Sequence, residues 1–160
     1  MPMSGRSPGT AGRLAPMTSW RDSTPEHVQA QFDGLFGLGL DAALDMLAKR
    51  KEFYPFGIEA RGGEAVMVGS EPGLGDDPES QAVLDLLYEG GRRRSADMDA
   101  VAYVCDVRLR EPDSDAVRID LEHRDGHALQ IVTPYRIKRF GRGVESGQMS
   151  VSSGVRRIWG

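Results

Sequence analysis

Three stretches in the second half of the chain, AVAYVCDVRL (100–109), AVRIDLEH (116–123) and HALQIVT (127–133), carry rows of apolar residues at every second position, with only short turn-forming segments between them. A period of two sends successive side chains to opposite faces, so each stretch reads as a strand with one buried face. Connections this short join antiparallel neighbours, because a parallel crossover needs a dozen residues or more. An antiparallel three-strand meander follows, and the rest of the chain must pack around it.

The register can be argued from side-chain type. Tyr103, Cys105, Val107 and Leu109 form one face of the first strand, and Val117, Ile119 and Leu121 the matching face of the second. The opposite face carries Asp106, Arg108, Arg118, Asp120 and Glu122. Pairing Val107 with Val117 sets Asp106 against Arg118, whereas a slide of two sets arginine against arginine and aspartate against aspartate. The first register is therefore expected. In EHRDGHAL, a two-residue Asp-Gly turn would set Leu121 beside Gln130. A three-residue turn of Arg124, Asp125 and a left-handed Gly126 instead pairs His123 with His127 and Leu121 with Leu129, so a bulged turn is expected.

Upstream, STPEHVQAQFDGLF predicts a helix with Thr24 as N-cap, Pro25 in the first position and apolar Val28, Phe32, Leu35 and Phe36 at helical spacing. Gly34, Gly37 and Gly39 weaken it, and a second helix is expected from about Leu40, with Leu40, Ala43, Leu44 and Leu47 as its stripe. Pro55 biases Tyr54 away from helical dihedrals, so this helix ends before it, and Phe53 and Tyr54 are placed to cover a helix–sheet seam. FGIEAR and EAVMVG flank a Gly-Gly pair and predict a hairpin. After SEPGLGDD, Asp77 as cap and Pro78 open a further helix with Val83, Leu86 and Leu87 buried, stopped by Gly90 and Gly91. Arg92, Arg93 and Arg94 then complement its negative end.

The expected order is helix, helix, strand, strand, helix, strand, strand, strand, an α+β fold on a five-stranded antiparallel sheet. Over about residues 40–133 this order resembles the profilin, longin and roadblock folds, and the resemblance implies strand order 2-1-5-4-3. Those folds host many functions, so the likeness carries none across. EFYPFG followed by LEHRDG also resembles a group of small bacterial proteins of uncharacterised function, and no site residues come with that likeness. Residues 1–23 and 141–160 are rich in glycine, serine and arginine or proline, and both read as disordered tails flanking one domain at 24–140.

Composition narrows the function. Of 20 basic residues only Lys49, Lys51 and Lys138 are lysine and asparagine is absent, a bias that suits a bacterial genome rich in G and C. Each tail carries a net +2, and with a total of −4 the segment between them carries −8. An acidic body argues against nucleic acid as its partner, since phosphate binding needs a concentrated positive face. No stretch reaches the length and apolarity of a membrane span, so no membrane partner is expected. Without a signal-like N-terminal segment, and with Cys105 as the one cysteine, the expected location is cytoplasmic.

His123 and His127 form the strongest chemical pair, with Asp125 beside them, but Glu122 points to the other face and a third metal ligand is missing. No metal or cofactor is therefore expected. GLGLDA (37–42) has dinucleotide-fingerprint spacing but follows a helix rather than a strand, so it reads as a connection. Asp76, Asp77 and Glu79 read as complements to a helix start, and Cys105 as an inert core residue. No nucleophile elbow or P-loop is present.

Two functions of the folded body remain, beside contact of the arginine-bearing tails with nucleic acid or an acidic partner. One is a non-catalytic protein-binding or regulatory module, a dimer or a partner-neutralising protein of the immunity-factor kind, with Asp106, Arg118, Asp120 and Glu122 as its surface. The other is a small-molecule site or enzyme with a pocket near Tyr54, Tyr103, His123 and His127.

Overall fold

A computed structural model describes residues 20–69, 79–140 and 143–160. The expected structure of residues 1–19, of the SEPGLGDD loop and of the Asp77–Pro78 cap lies outside the described residues. The chain forms α1 (Glu26–Arg50), β1 (Phe56–Arg61), β2 (Glu64–Val68), α2 (Ser80–Arg93), β3 (Ala100–Leu109), β4 (Ser114–His123), β5 (His127–Ile137), β6 (Val144–Ser146) and β7 (Ser150–Ser153). It is an α+β protein, and its antiparallel sheet runs β2-β1-β3-β4-β5-β6, with β7 also on β5. Among the described residues the sheet therefore has seven strands rather than five, and β1 pairs with β3 rather than with β5. The order 2-1-5-4-3 is corrected: the connection through α2 returns the chain to the free side of β1, so the first five strands stand 2-1-3-4-5.

α1 is one helix, not two. Its inner side buries Val28, Phe32, Leu35, Phe36, Gly39, Ala43 and Leu47. Gly39 permits the approach to the sheet, since a Cβ there would stand 3.0 Å from Val104. That packing outweighs the roughly 1 kcal/mol that each glycine costs a helix. Pro25 rather than Thr24 occupies the cap position, and the Thr24 hydroxyl donates instead to the Trp20 carbonyl. At the other end Lys51 takes a left-handed conformation (φ 66°) and donates its N–H to the Leu47 carbonyl at 2.9 Å. Phe53 and Phe56 then pack edge to face beneath the junction, whereas Tyr54 turns outward.

The β3–β4 register differs by one residue from the expected one. Asp106 opposes Val117, Cys105 opposes Arg118 and Val107 opposes Ala116. Such a shift exchanges faces. The α1 side of β3 is Ala100, Ala102 and Val104, small residues that pack with Ile119 and Leu121. Tyr103 and Cys105 lie on the other side, against Val83, Leu84, Leu87 and Tyr88 of α2. Both faces of β3 are apolar because a helix lies on each, so matching one apolar row to another does not select a register. The bulged β4–β5 turn does form as expected: His123 pairs with His127, Leu121 with Leu129 and Ile119 with Ile131, with Gly126 at φ 103°.

α2 runs through Gly90 and Gly91 rather than stopping there. A Cβ on Gly91 would meet the Tyr103 hydroxyl at 2.1 Å, so this glycine lets the helix lie directly on that ring. The C-terminal segment is also structured: β6 pairs with β5 at Tyr135–Ile137, β7 pairs with it at Leu129–Val132, and Ile158 is buried in the α2 cluster.

Candidate functional site

The four charged residues read as one exposed surface do not share one. The register shift puts Asp106 on the α1 side, where the Tyr135 hydroxyl donates to its carboxylate at 2.7 Å. Burial raises the Asp106 carboxyl above its usual range despite that hydrogen bond. Arg118, Asp120 and Glu122 lie on the α2 side, with Asp120 and Glu122 buried. Asp120 accepts from Arg118 Nε at 3.0 Å and from Gln130 at 2.9 Å. Glu122 accepts from the consecutive backbone N–H groups of Arg157, Ile158 and Trp159 at 2.8–3.2 Å. Three amides converging on one carboxylate make an anion nest, here filled from within the chain. Arg92 Nε adds a bond to the Arg157 carbonyl at 2.8 Å, and the Arg157 guanidinium lies over the Tyr88 ring. This face is a clamp on the C-terminal segment.

A second internal clamp joins β1 to α2. The side chain of Glu59 is fully buried and accepts from Arg94 Nη2 at 2.7 Å and from Arg61 Nε at 2.9 Å. Burial alone would raise its carboxyl, but the two guanidiniums outweigh that and hold it below the usual range. Arg94, read from sequence as part of a solvated positive end, is thus tied to a buried carboxylate.

His123 and Asp125 gain a third member from the start of α1, whereas His127 does not join them. The start of α1 lies over the β4–β5 turn, so that His27 Nε2 is 2.9 Å from Asp125 Oδ2 although the two are 98 residues apart in sequence. The same oxygen is 3.8 Å from His123 Nδ1. His27, His123 and Asp125 offer ligand-type atoms all within 4.8 Å of one another. His123 is buried, and burial lowers its pKa, so the ring is neutral near pH 7. Its tautomer follows from its neighbours. The backbone N–H of Asp125 donates to Nδ1 at 3.1 Å, so Nε2 carries the hydrogen and donates to Gln31 Oε1. His127 pairs with His123 across the turn but instead lines a cavity of about 270 Å³ with Trp20, Thr24, Phe32, Leu129 and Ser153.

The pocket expected near Tyr54, Tyr103, His123 and His127 does not draw those four together. Tyr103 is buried under α2, His123 lies on the α1 side and Tyr54 is 44% exposed at the helix–sheet junction. Burial also pushes the Cys105 thiol up to about 11, consistent with an inert core residue.

One further feature lies at the edge of the sheet. β2 pairs with β1 on one side, and among the described residues nothing pairs with the other. The two-residue Gly62–Gly63 turn makes Arg61 and Glu64 a hydrogen-bonded pair. Alternation then turns the backbone groups of Ala65 and Met67 outward. Ala65 is exposed, and Met67 is 57% exposed.

His27, Gln31, Glu59 and Arg94 were not singled out together by any spacing, because each meets its partner only through tertiary packing. The C-terminal strands did leave a signal, in that Val144, Val151, Ile158 and Trp159 are an apolar set within an otherwise polar segment. Compared with protein-family models, curated proteins and solved structures, the chain has no match.

Proposed function

We propose that the chain is a non-catalytic protein-binding module whose partner is a second copy of itself, joined edge to edge through β2. The observation behind this reading is the outer side of Glu64–Val68, a strand edge without lysine, proline or a bulge, the usual devices that discourage pairing. Its sequence is also self-complementary. In an antiparallel pairing centred on Val66, Ala65 faces Met67 of the other copy and Glu64 faces Val68, so no like charges meet. The outward N–H and C=O groups of Ala65 and Met67 fall opposite each other in hydrogen-bonding positions. Asp120 and Glu122, expected from the sequence to form a partner surface, are held inside the fold, so the proposed contact lies at the β2 edge instead.

Hydrogen exchange at the Ala65 and Met67 amides tests this. Slow exchange in concentrated solution that becomes fast on dilution is expected. Fast exchange at every concentration, or slow exchange independent of concentration, would remove the second copy as occupant of the edge.

The cavity containing His127 favours a second reading, uptake of a small polar molecule. Its volume sits just below the roughly 300 Å³ at which ligand pockets begin. Stabilisation of the full chain by a small polar compound, abolished by Leu129→Trp, would promote it.

A further inference from the structure

The cluster beneath the start of α1 goes beyond a binding module. We infer that His27, His123 and Asp125 form a site for a divalent transition-metal ion of the zinc class, with His123 ligating through Nδ1 and Gln31 holding its ring from behind.

The argument rests on geometry and donor chemistry. Two imidazoles and one carboxylate are the donor set that suits zinc, nickel or copper, with room for water or another ligand in the remaining position. At bond lengths of about 2.0–2.1 Å, a tetrahedral ion holds its ligand atoms roughly 3.3 Å apart. Asp125 Oδ2 already stands 2.9 Å from His27 Nε2 and 3.8 Å from His123 Nδ1, values on either side of that separation. Small rotations of the exposed His27 and Asp125 side chains close the difference, and neither is locked by packing.

The tautomer supplies the second observation. Metal-bound histidines almost always donate their other ring N–H to a fixed acceptor, which sets the tautomer and orients the ring. His123 is already in that state: Nε2–H donates to Gln31 Oε1, and the lone pair is on Nδ1, facing Asp125. Edge-to-face contact with Phe32 fixes the ring further. Ligation needs only that the Asp125 backbone N–H give up Nδ1 and turn to water, which is available at this exposed turn. An ordinary surface ion pair between His27 and Asp125 would not need a buried imidazole whose Nδ1 stands 3.8 Å from the same carboxylate oxygen.

Both elements that meet here are held independently. Asp99 accepts from the Arg124 N–H at 2.9 Å and fixes the turn, while Arg21 pairs with Asp33 at 2.9 Å and ties the residues before α1 to the helix. The fold thus brings the elements that carry the ligands together, and side-chain rotation with release of the Asp125 N–H completes the site.

Titration of the full chain with zinc chloride by calorimetry, beside the same titration of variants, tests the inference. Saturable binding of one ion per chain is expected. His27→Ala and Asp125→Asn, both at exposed positions, should retain the wild-type circular dichroism and lose most of that affinity. Gln31→Leu should weaken binding by about 10–100-fold, the usual cost of losing an outer partner. His127→Ala should leave it unchanged. Nitrogen-15 imidazole spectra should show His123 Nδ1, not Nε2, moving on zinc addition. Absence of saturable binding, or binding that survives His27→Ala or Asp125→Asn undiminished, would overturn the site, and binding that fails in His127→Ala would relocate it to the histidine pair across the turn.

Discussion

At one side of the sheet, the chain devotes residues 144–160 to closing the edge of β5. β7 covers Leu129–Val132, β6 covers Tyr135–Ile137, and Gly147 and Gly154 donate to the Pro134 and Ala128 carbonyls at 2.7 and 3.1 Å. The segment then crosses to the α2 face, where Glu122 holds its last amides. At the other side, β2 ends the sheet with five residues, an exposed methionine and, among the described residues, no partner strand. An open edge is a liability that chains of this size usually blunt. Among the described residues one edge is covered and the other is bare, and the proposed pairing through β2 rests on that contrast.

The largest effect should come from undoing the closed edge. Removing residues 144–160 strips β5 of β6 and β7, leaves it paired with β4 alone, and takes from the Glu122 carboxylate its three amides. The same segment covers that carboxylate and supplies its partners, so truncation gives up charge-assisted hydrogen bonds worth roughly 1.5–3 kcal/mol each, and the urea midpoint of the truncated chain should fall sharply, with aggregation as the exposed β5 seeks another edge. An unchanged midpoint would mean that the segment adds nothing.

Glu122→Gln separates charge from shape. It keeps the side-chain volume but removes charge-assisted bonds, and should cost roughly 1.5–3 kcal/mol. Amide exchange should accelerate at Arg157, Ile158 and Trp159, while β3 and β4 stay protected. Exchange that accelerates everywhere would instead show that the segment and the sheet unfold as one unit.

The Glu59 clamp holds β1, the strand that carries β2, and its contribution depends on pH. Its folded pKa lies below the ordinary carboxylate value of 4.5 because Arg94 and Arg61 offset the effect of burial. The folded state therefore binds the proton less readily than the unfolded state. The clamp's stabilisation is present above the unfolded pKa and is lost as pH falls through the folded one. Glu59→Gln should lower stability at pH 7 and flatten its decline in the acid range. Equal acid slopes in the two proteins would remove Glu59 from the account.

Much of the sheet was legible in sequence, for identifiable reasons. The β1–β2 hairpin and the bulged β4–β5 turn each depend on a glycine-containing turn and on one apolar row matched to another, and both are local. The β3–β4 register failed because Ala100, Ala102 and Val104 make the second face of β3 as apolar as the first, so no polar row marked the solvent side. The glycines of α1 and α2 were read as helix breaks because the contacts that offset their cost, Gly39 against Val104 and Gly91 against the Tyr103 ring, come from distant strands. The candidate site divided in the same way. His123, Asp125 and His127 were visible as neighbours in one turn, whereas His27 and Gln31 join them only once α1 lies across the sheet. The charged row of Arg118, Asp120 and Glu122 was visible as well. Its burial depended on α2 and on a C-terminal segment too polar on average to announce itself.

The open edge should be the most tolerant part of the fold when the chain is alone. Val66→Lys places one lysine on a half-exposed strand position and should change stability by no more than about 0.5 kcal/mol, yet in the pairing centred on Val66 it sets two lysines directly against each other. Sedimentation velocity of the 17.5 kDa chain and of this variant across a concentration series is the most direct measurement. A wild-type boundary that shifts to the dimer with concentration, and a variant that stays monomeric with unchanged thermal unfolding, is the predicted result. A monomer at every concentration for both proteins, or a dimer that the lysine leaves intact, would contradict pairing through β2.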